Sequence, residues 1–141
     1  MGPFIIRVYK PLSLAMAAVF AAVGVLFLLT PGGVVEFFNR LSGPTGFRPS
    51  PSGEPDFYLT LAVAYMAVVT FLAWSMFRRP GDASFPMVLA LAKSSSSVLS
   101  LVFFLWRSPY LMYVANAVVD GFLAVVALLC FLALKAHAQR R

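Results

Sequence analysis

Charge is what this chain has least of. Of its 141 residues only 11% are Asp, Glu, Lys or Arg, against 61% hydrophobic ones, and the mean hydropathy is +0.88. Soluble domains carry about 25% charged residues. A chain this short cannot hide so much apolar surface inside a water-facing globule. A bilayer must therefore solvate much of its length.

Histidine and cysteine are almost absent. Cys130 is the one cysteine and His137 the one histidine. A single cysteine excludes an internal disulfide and a CxxC redox pair, and Cys130 reads as a packing residue. The same scarcity excludes haem held by two histidines, iron–sulfur clusters and structural zinc within one chain. A Ser/His/Asp triad at membrane depth has no histidine to use. Gly32-Gly33 matches no phosphate-binding loop. No catalytic residue and no metal site is expected.

Also missing is the period-two alternation, in segments of about 10 residues, that a membrane β-barrel requires. What is present is four long apolar runs, at about 12–29, 57–77, 85–106 and 110–134. Each is long enough to cross a hydrocarbon core of about 30 Å as a helix. The expected fold class is all-α: one integral membrane domain, a four-transmembrane-helix bundle spanning residues 1–141. A basic start followed by an apolar run imitates a signal peptide. No small-residue cleavage site follows it, so the segment reads as a retained span.

The net charge of +6 does not point to nucleic acid, because the basic residues flank the spans and form no stripe interleaved with aromatics. It points to topology. Arg7, Lys10, Arg78, Arg79, Lys135, Arg140 and Arg141 would share one side, leaving Arg40, Arg48 and Arg107 on the other. The positive-inside rule then puts both termini in the cytoplasm, which suits a multi-pass protein of a cell inner membrane.

The first span carries Ala17, Ala18, Ala21, Ala22 and Gly24 at helical spacing. Small residues permit close helix approach, either within the bundle or between two copies. Residues 30–56 form the longest connection, on the outer side. In it, "TPGGVVEFFNRLS" suggests a short amphipathic helix lying on the outer membrane surface, with breakers ahead of it. Glu36, Phe37, Phe38 and Arg40 are its candidate partner contacts. "GPTGFRPSPSGEPD" reads as an irregular loop, either a tether or a surface for other membrane protein subunits. In the next loop Pro80-Gly81 turns the chain, and Asp82 or Ser84 caps span three.

Two ionisable residues cannot reach an interface. Lys93 in "LAKSSSSVLS" and Asp120 in span four both fall near mid-bilayer, where an isolated charge costs several kcal/mol. Facing residues of an antiparallel hairpin share one index sum. Lys93 with Asp120, Ser97 with Asn116 and Ser100 with Tyr113 share the same one, and its midpoint falls on the "WRSP" turn. These six residues form the expected buried polar seam. Ser94, Ser95 and Ser96 lie partly off it and read as close-packing residues, with Ala117 and Gly121 able to receive them. The ion pair admits three readings: a neutralised pair that fixes the hairpin's register, a proton or ion relay, or Lys93 or Asp120 reaching a helix of another subunit.

The aromatics, 14 Phe, 5 Tyr and 2 Trp, include Tyr58, Tyr65, Trp74, Phe103, Phe104 and Trp106. They offer walls for a bound lipid, quinone or carotenoid, yet packing and lipid contact account for them without one. No cofactor is expected on this ground alone.

The layout resembles the small four-helix bacterial membrane proteins of the DoxX-like kind. It shares a first span ending in "FLLTPGG", a short outer helical segment and three further spans with short links. The resemblance implies an accessory membrane subunit, since some members of that group work as partners of redox proteins, and it transfers no site residue. The functional expectation is a non-catalytic subunit of an inner-membrane complex. The alternative is a small ion- or proton-coupled transporter using Lys93 and Asp120.

Overall fold

The computed structural model describes residues 5–51 and 56–139. Glu54 lies outside the described residues, as do Arg140 and Arg141. Five α-helices account for nearly all of the chain: α1 Lys10–Leu29, α2 Pro31–Thr45, α3 Asp56–Arg78, α4 Ser84–Trp106 and α5 Leu111–Gln139. A π-helical turn, Ile5–Tyr9, leads into α1. No strand occurs among the described residues; Arg48 and Tyr110 form one isolated parallel bridge. Four of the helices, all but α2, are long and apolar enough to cross a membrane.

The spans match the apolar runs closely: a continuous helix satisfies every backbone group once water is excluded, and the one proline inside a run, Pro86, falls in the first turn of α4, where it breaks no hydrogen bond. α5 is the exception. At 29 residues and about 1.5 Å per residue, it outreaches a hydrocarbon core and carries Lys135 and His137 past it.

The spans pack as two close antiparallel pairs, α1 with α3 and α4 with α5, joined mainly along α3 and α4. In α1 the buried positions Ser13, Met16, Ala17 and Phe20 follow the i, i+3, i+4, i+7 spacing of one helix face. Gly24 sits where a Cβ would lie 3.1 Å from the Cβ of Met66, so the α1–α3 approach depends on the missing side chain. Ala17 is buried inside the bundle, whereas Ala18 and Ala22 face outward. The core, with Tyr9, Phe20, Val69, Met76, Leu89 and Cys130 among its members, runs through the half of the bundle nearer the termini.

α2 is longer than the sequence suggests. It starts at Pro31 and runs through Gly32 and Gly33. Proline at the first helical position loses no hydrogen bond there, and two glycines weaken a helix without stopping it. α2 ends at Gly46, whose φ of 73° is the left-handed conformation that favours glycine. The amides of Gly46 and Phe47 bond back to Gly43 O and Ser42 O, satisfying carbonyls at the helix end. One face of α2 packs against α1 and α5. The loop behind it is held down. Asn39 Nδ2 donates to Ser50 O at 2.9 Å, and the Ser50 amide donates to Asn39 Oδ1 at 2.6 Å. Phe47 meets Phe104 edge-on, centroids 5.9 Å apart, so residues 46–51 dock beside the α4–α5 turn.

Candidate functional site

Lys93 lies nine residues into α4 and Asp120 nine residues into α5, each about 14 Å from its helix start. Lys93 Nζ donates to Asp120 Oδ1 at 2.8 Å. Their side chains are only 3% and 6% exposed. Two aromatic faces close the cation in: Phe20 of α1 at 4.7 Å and Tyr65 of α3 at 5.1 Å from ring centroid to Nζ. All four spanning helices therefore meet at one ammonium group. A cation over an aromatic face is worth about 2 kcal/mol or more when desolvated. Tyr65 is itself anchored, its hydroxyl donating to Ala92 O at 3.2 Å. Sequence spacing gave no sign of Phe20 or Tyr65 here, because neither helix is the hairpin partner of α4. An aromatic at mid-span on each of them is the only available signal.

Beyond the pair the facing residues drift from the expected register. Ser97 Oγ donates to the carbonyl of Ala117 at 2.7 Å and not to Asn116. The close approach is set at Gly121, where a Cβ would lie 3.0 Å from Ser97 Oγ. With the backbones this near, Ser97 reaches a carbonyl before it reaches a side chain. Asn116 Nδ2 instead donates to Ser100 Oγ at 2.7 Å and to Ser96 Oγ at 3.1 Å. That displaces Tyr113 from Ser100. The Tyr113 ring packs against Tyr110 and Phe103, at 5.8 and 5.9 Å between centroids.

The expected burial of the seam also needs correction. Lys93, Ser100 and Asp120 are buried, Ser97 and Tyr113 are half-buried, and Asn116 is exposed. Asn116 and Tyr113 instead border cavities that open at the bundle surface. The serine run divides likewise. Ser96 joins the Asn116 bond, Ser97 makes the close contact, and Ser94 and Ser95 face outward.

The seam is one-sided. From the ion pair toward the termini the next buried residues of α4 and α5 are Leu89, Ala90, Ala124 and Ala127, none with a hydrogen-bonding side chain; the buried polar residues at that end, Tyr9, Ser13 and Ser75, lie on the α1 and α3 side of the bundle. Toward the opposite end it passes Ser96, Ser100 and Asn116 and meets two cavities that open at the bundle surface. One, of about 370 Å³, lies under α2; the other, of about 490 Å³, lies between α3 and α4. Ser100 and Tyr113 border both.

The candidate partner contacts split between two faces of α2. Glu36, Phe37 and Arg40 are exposed, with the Arg40 guanidinium donating to Glu36. Phe38 turns inward and helps line the cavity below. It leaves the outward face because it is on the same side of the helix as Val34 and the buried Ser42.

Among the described residues, no cluster of His, Cys, Asp or Glu is arranged to hold a metal ion. No protein-family model matches the chain, and no curated protein or solved structure is significantly similar to it.

Proposed function

We propose that the chain is a non-catalytic accessory subunit of a bacterial inner-membrane complex, built around a charge pair that locks its four spans together. Both termini would face the cytoplasm, as the distribution of basic residues favours. The observation that carries the reading is the enclosure of Lys93: its counterion at 2.8 Å and aromatic rings at 4.7 and 5.1 Å. A relay needs a polar path on both sides of the pair; toward the termini α4 and α5 place only Leu89, Ala90, Ala124 and Ala127 next to it, and the buried Ser13 hydroxyl on α1 is committed to Tyr9 O. A buried charge pair of this kind can fix one arrangement of helices, as single buried polar residues do in some coiled coils. The outward face of α2, with Phe37 between Glu36 and Arg40, is the surface best suited to partner subunits. The DoxX-like layout points the same way.

The test is purification from native membranes in mild detergent. A fixed set of partner proteins should accompany the chain, and the double variant Lys93→Met/Asp120→Leu should keep them. The one-sided polar row from Ser96 to Asn116 favours a second reading, an ion-coupled transporter. Proton-dependent flux in vesicles holding the purified chain, lost in Asp120→Asn, would replace the first reading by the second.

A further inference from the structure

We propose that the cavity under α2 binds an uncharged amphiphile, with its polar head on Asn116 and Ser100 and its apolar body against α1, α2 and α5. The cavity measures about 370 Å³, inside the range of ligand pockets, about 300–1,000 Å³. Its walls are apolar: Phe27 from α1, Val34 and Phe38 from α2, and Val119 from α5. Its polar end is formed by Ser100, Asn116 and Tyr113.

The hydrogen-bond inventory defines the head group. Asn116 commits its amide N–H groups to Ser100 Oγ and Ser96 Oγ. Its Oδ1 accepts no bond from any described residue, although the side chain is exposed next to the cavity. Ser100 Oγ accepts from Asn116, which leaves its O–H to donate. In hydrocarbon an unmet amide carbonyl costs several kcal/mol. A hydroxyl answers both needs at once, donating to Asn116 Oδ1 and accepting from Ser100. No charged residue among the described ones lines the cavity, and the nearby Lys93 is already neutralised by Asp120. A charged head would enter without a counterion and pay the full cost of desolvation, so the head is neutral. The cavity opens at the bundle surface, which leaves a route for the tail into the bilayer.

This inference does not depend on the subunit reading, since the site lies within one chain. The experiment uses the purified full chain in detergent and three photoreactive probes of equal length, each with a diazirine in its tail: a monoacylglycerol, a fatty acid and a primary alkylamine. The monoacylglycerol should label α2 and residues 112–119 of α5 saturably, and excess unlabelled monoacylglycerol should compete. Asn116→Leu should weaken this labelling about tenfold, the equilibrium equivalent of one hydrogen bond to a desolvated amide. Val119→Trp fills the cavity from an exposed position and leaves the polar groups intact. It should abolish saturable labelling while the thermal transition stays in place. Labelling spread evenly over α1 and α3, indifference to both variants, or stronger labelling by the fatty acid or the amine would each overturn the proposal. None of these outcomes bears on copurifying partners, so the two readings fail separately.

Discussion

Phe20 of α1 holds its ring 4.7 Å from the ammonium of Lys93 on α4, so the buried cation is sensed by a helix that does not carry its counterion. α1 and α4 have no hydrogen bond between them among the described residues; this contact and the shared core couple them. Phe20→Leu keeps the apolar volume roughly in place and removes the aromatic face. We expect it to lower stability by about 1–2 kcal/mol, read as a shift of the thermal transition in detergent. In Lys93→Met, Phe20→Leu should cost much less, because no cation remains for the ring to face. Equal cost in both backgrounds would make the contact one of packing alone.

The Lys93–Asp120 bond itself should behave as a pair and not as two residues. Lys93→Met or Asp120→Leu alone leaves a buried charge without a partner, which typically costs about 3–5 kcal/mol. The double variant removes both charges and should recover most of that loss. Thermal unfolding of all four proteins in one detergent checks this as a double-mutant cycle.

The four spans and the ion pair were legible for simple reasons. Apolar length determines a span almost alone, and a tight turn ties α4 to α5 closely enough that one index sum places Lys93 opposite Asp120. The rest of the seam was not legible because an index sum treats helices as rods at a fixed distance. Gly121 lets α5 come close at Ser97, and the contact there becomes side chain to backbone. Nearer the turn, Asn116 meets serines on two successive turns. Phe20 and Tyr65 arrive from helices whose rotation no local spacing reports. The early start of α2 was hidden by "TPGG", which reads as a breaker although proline at a first turn breaks nothing.

Asp82 supplies a pH-dependent cap for α4. The Ser84 amide donates to Asp82 Oδ1 at 2.9 Å, and that bond, with a smaller contribution from Arg79, holds the carboxyl below its ordinary value. A depressed folded-state pKa means the stabilisation is complete above the unfolded value, near 3.8. It is lost as pH falls through the lower folded value. Hydrogen exchange at the Ser84 amide should therefore be protected at neutral pH, and that protection should fall only under strongly acidic conditions. Asp82→Ala should show the unprotected rate at every pH, with the spans unaffected.

Tyr9 carries a buried hydroxyl with no partner among the described residues, on a side chain that is fully enclosed. Burying a hydroxyl without a hydrogen bond costs about 1–3 kcal/mol, while its ring fills the core beside the termini. Tyr9→Phe removes the cost and keeps the ring. It should raise the thermal transition, whereas Tyr9→Ala should lower the transition, with a loss of stability of about 3–5 kcal/mol through the cavity it leaves. A destabilised Tyr9→Phe would mean that the hydroxyl is satisfied by a bound water.

Ser97 and Gly121 offer the sharpest test of how α4 and α5 touch. In Gly121→Ala the new methyl group would lie 3.0 Å from Ser97 Oγ, tighter than nearly all real contacts, so one of the two must give. The serine hydroxyl must swing away and release the Ala117 carbonyl, a loss of about 1 kcal/mol for the bond in addition to the strain. Ser97→Ala forfeits the same bond with no clash. In the double variant the methyl meets only the Cβ of residue 97, at 3.9 Å, an ordinary contact. The two substitutions should therefore cost less together than the sum of their separate effects, by about 1 kcal/mol. Strict additivity would mean that the close approach at Gly121 is not what directs Ser97 to the backbone.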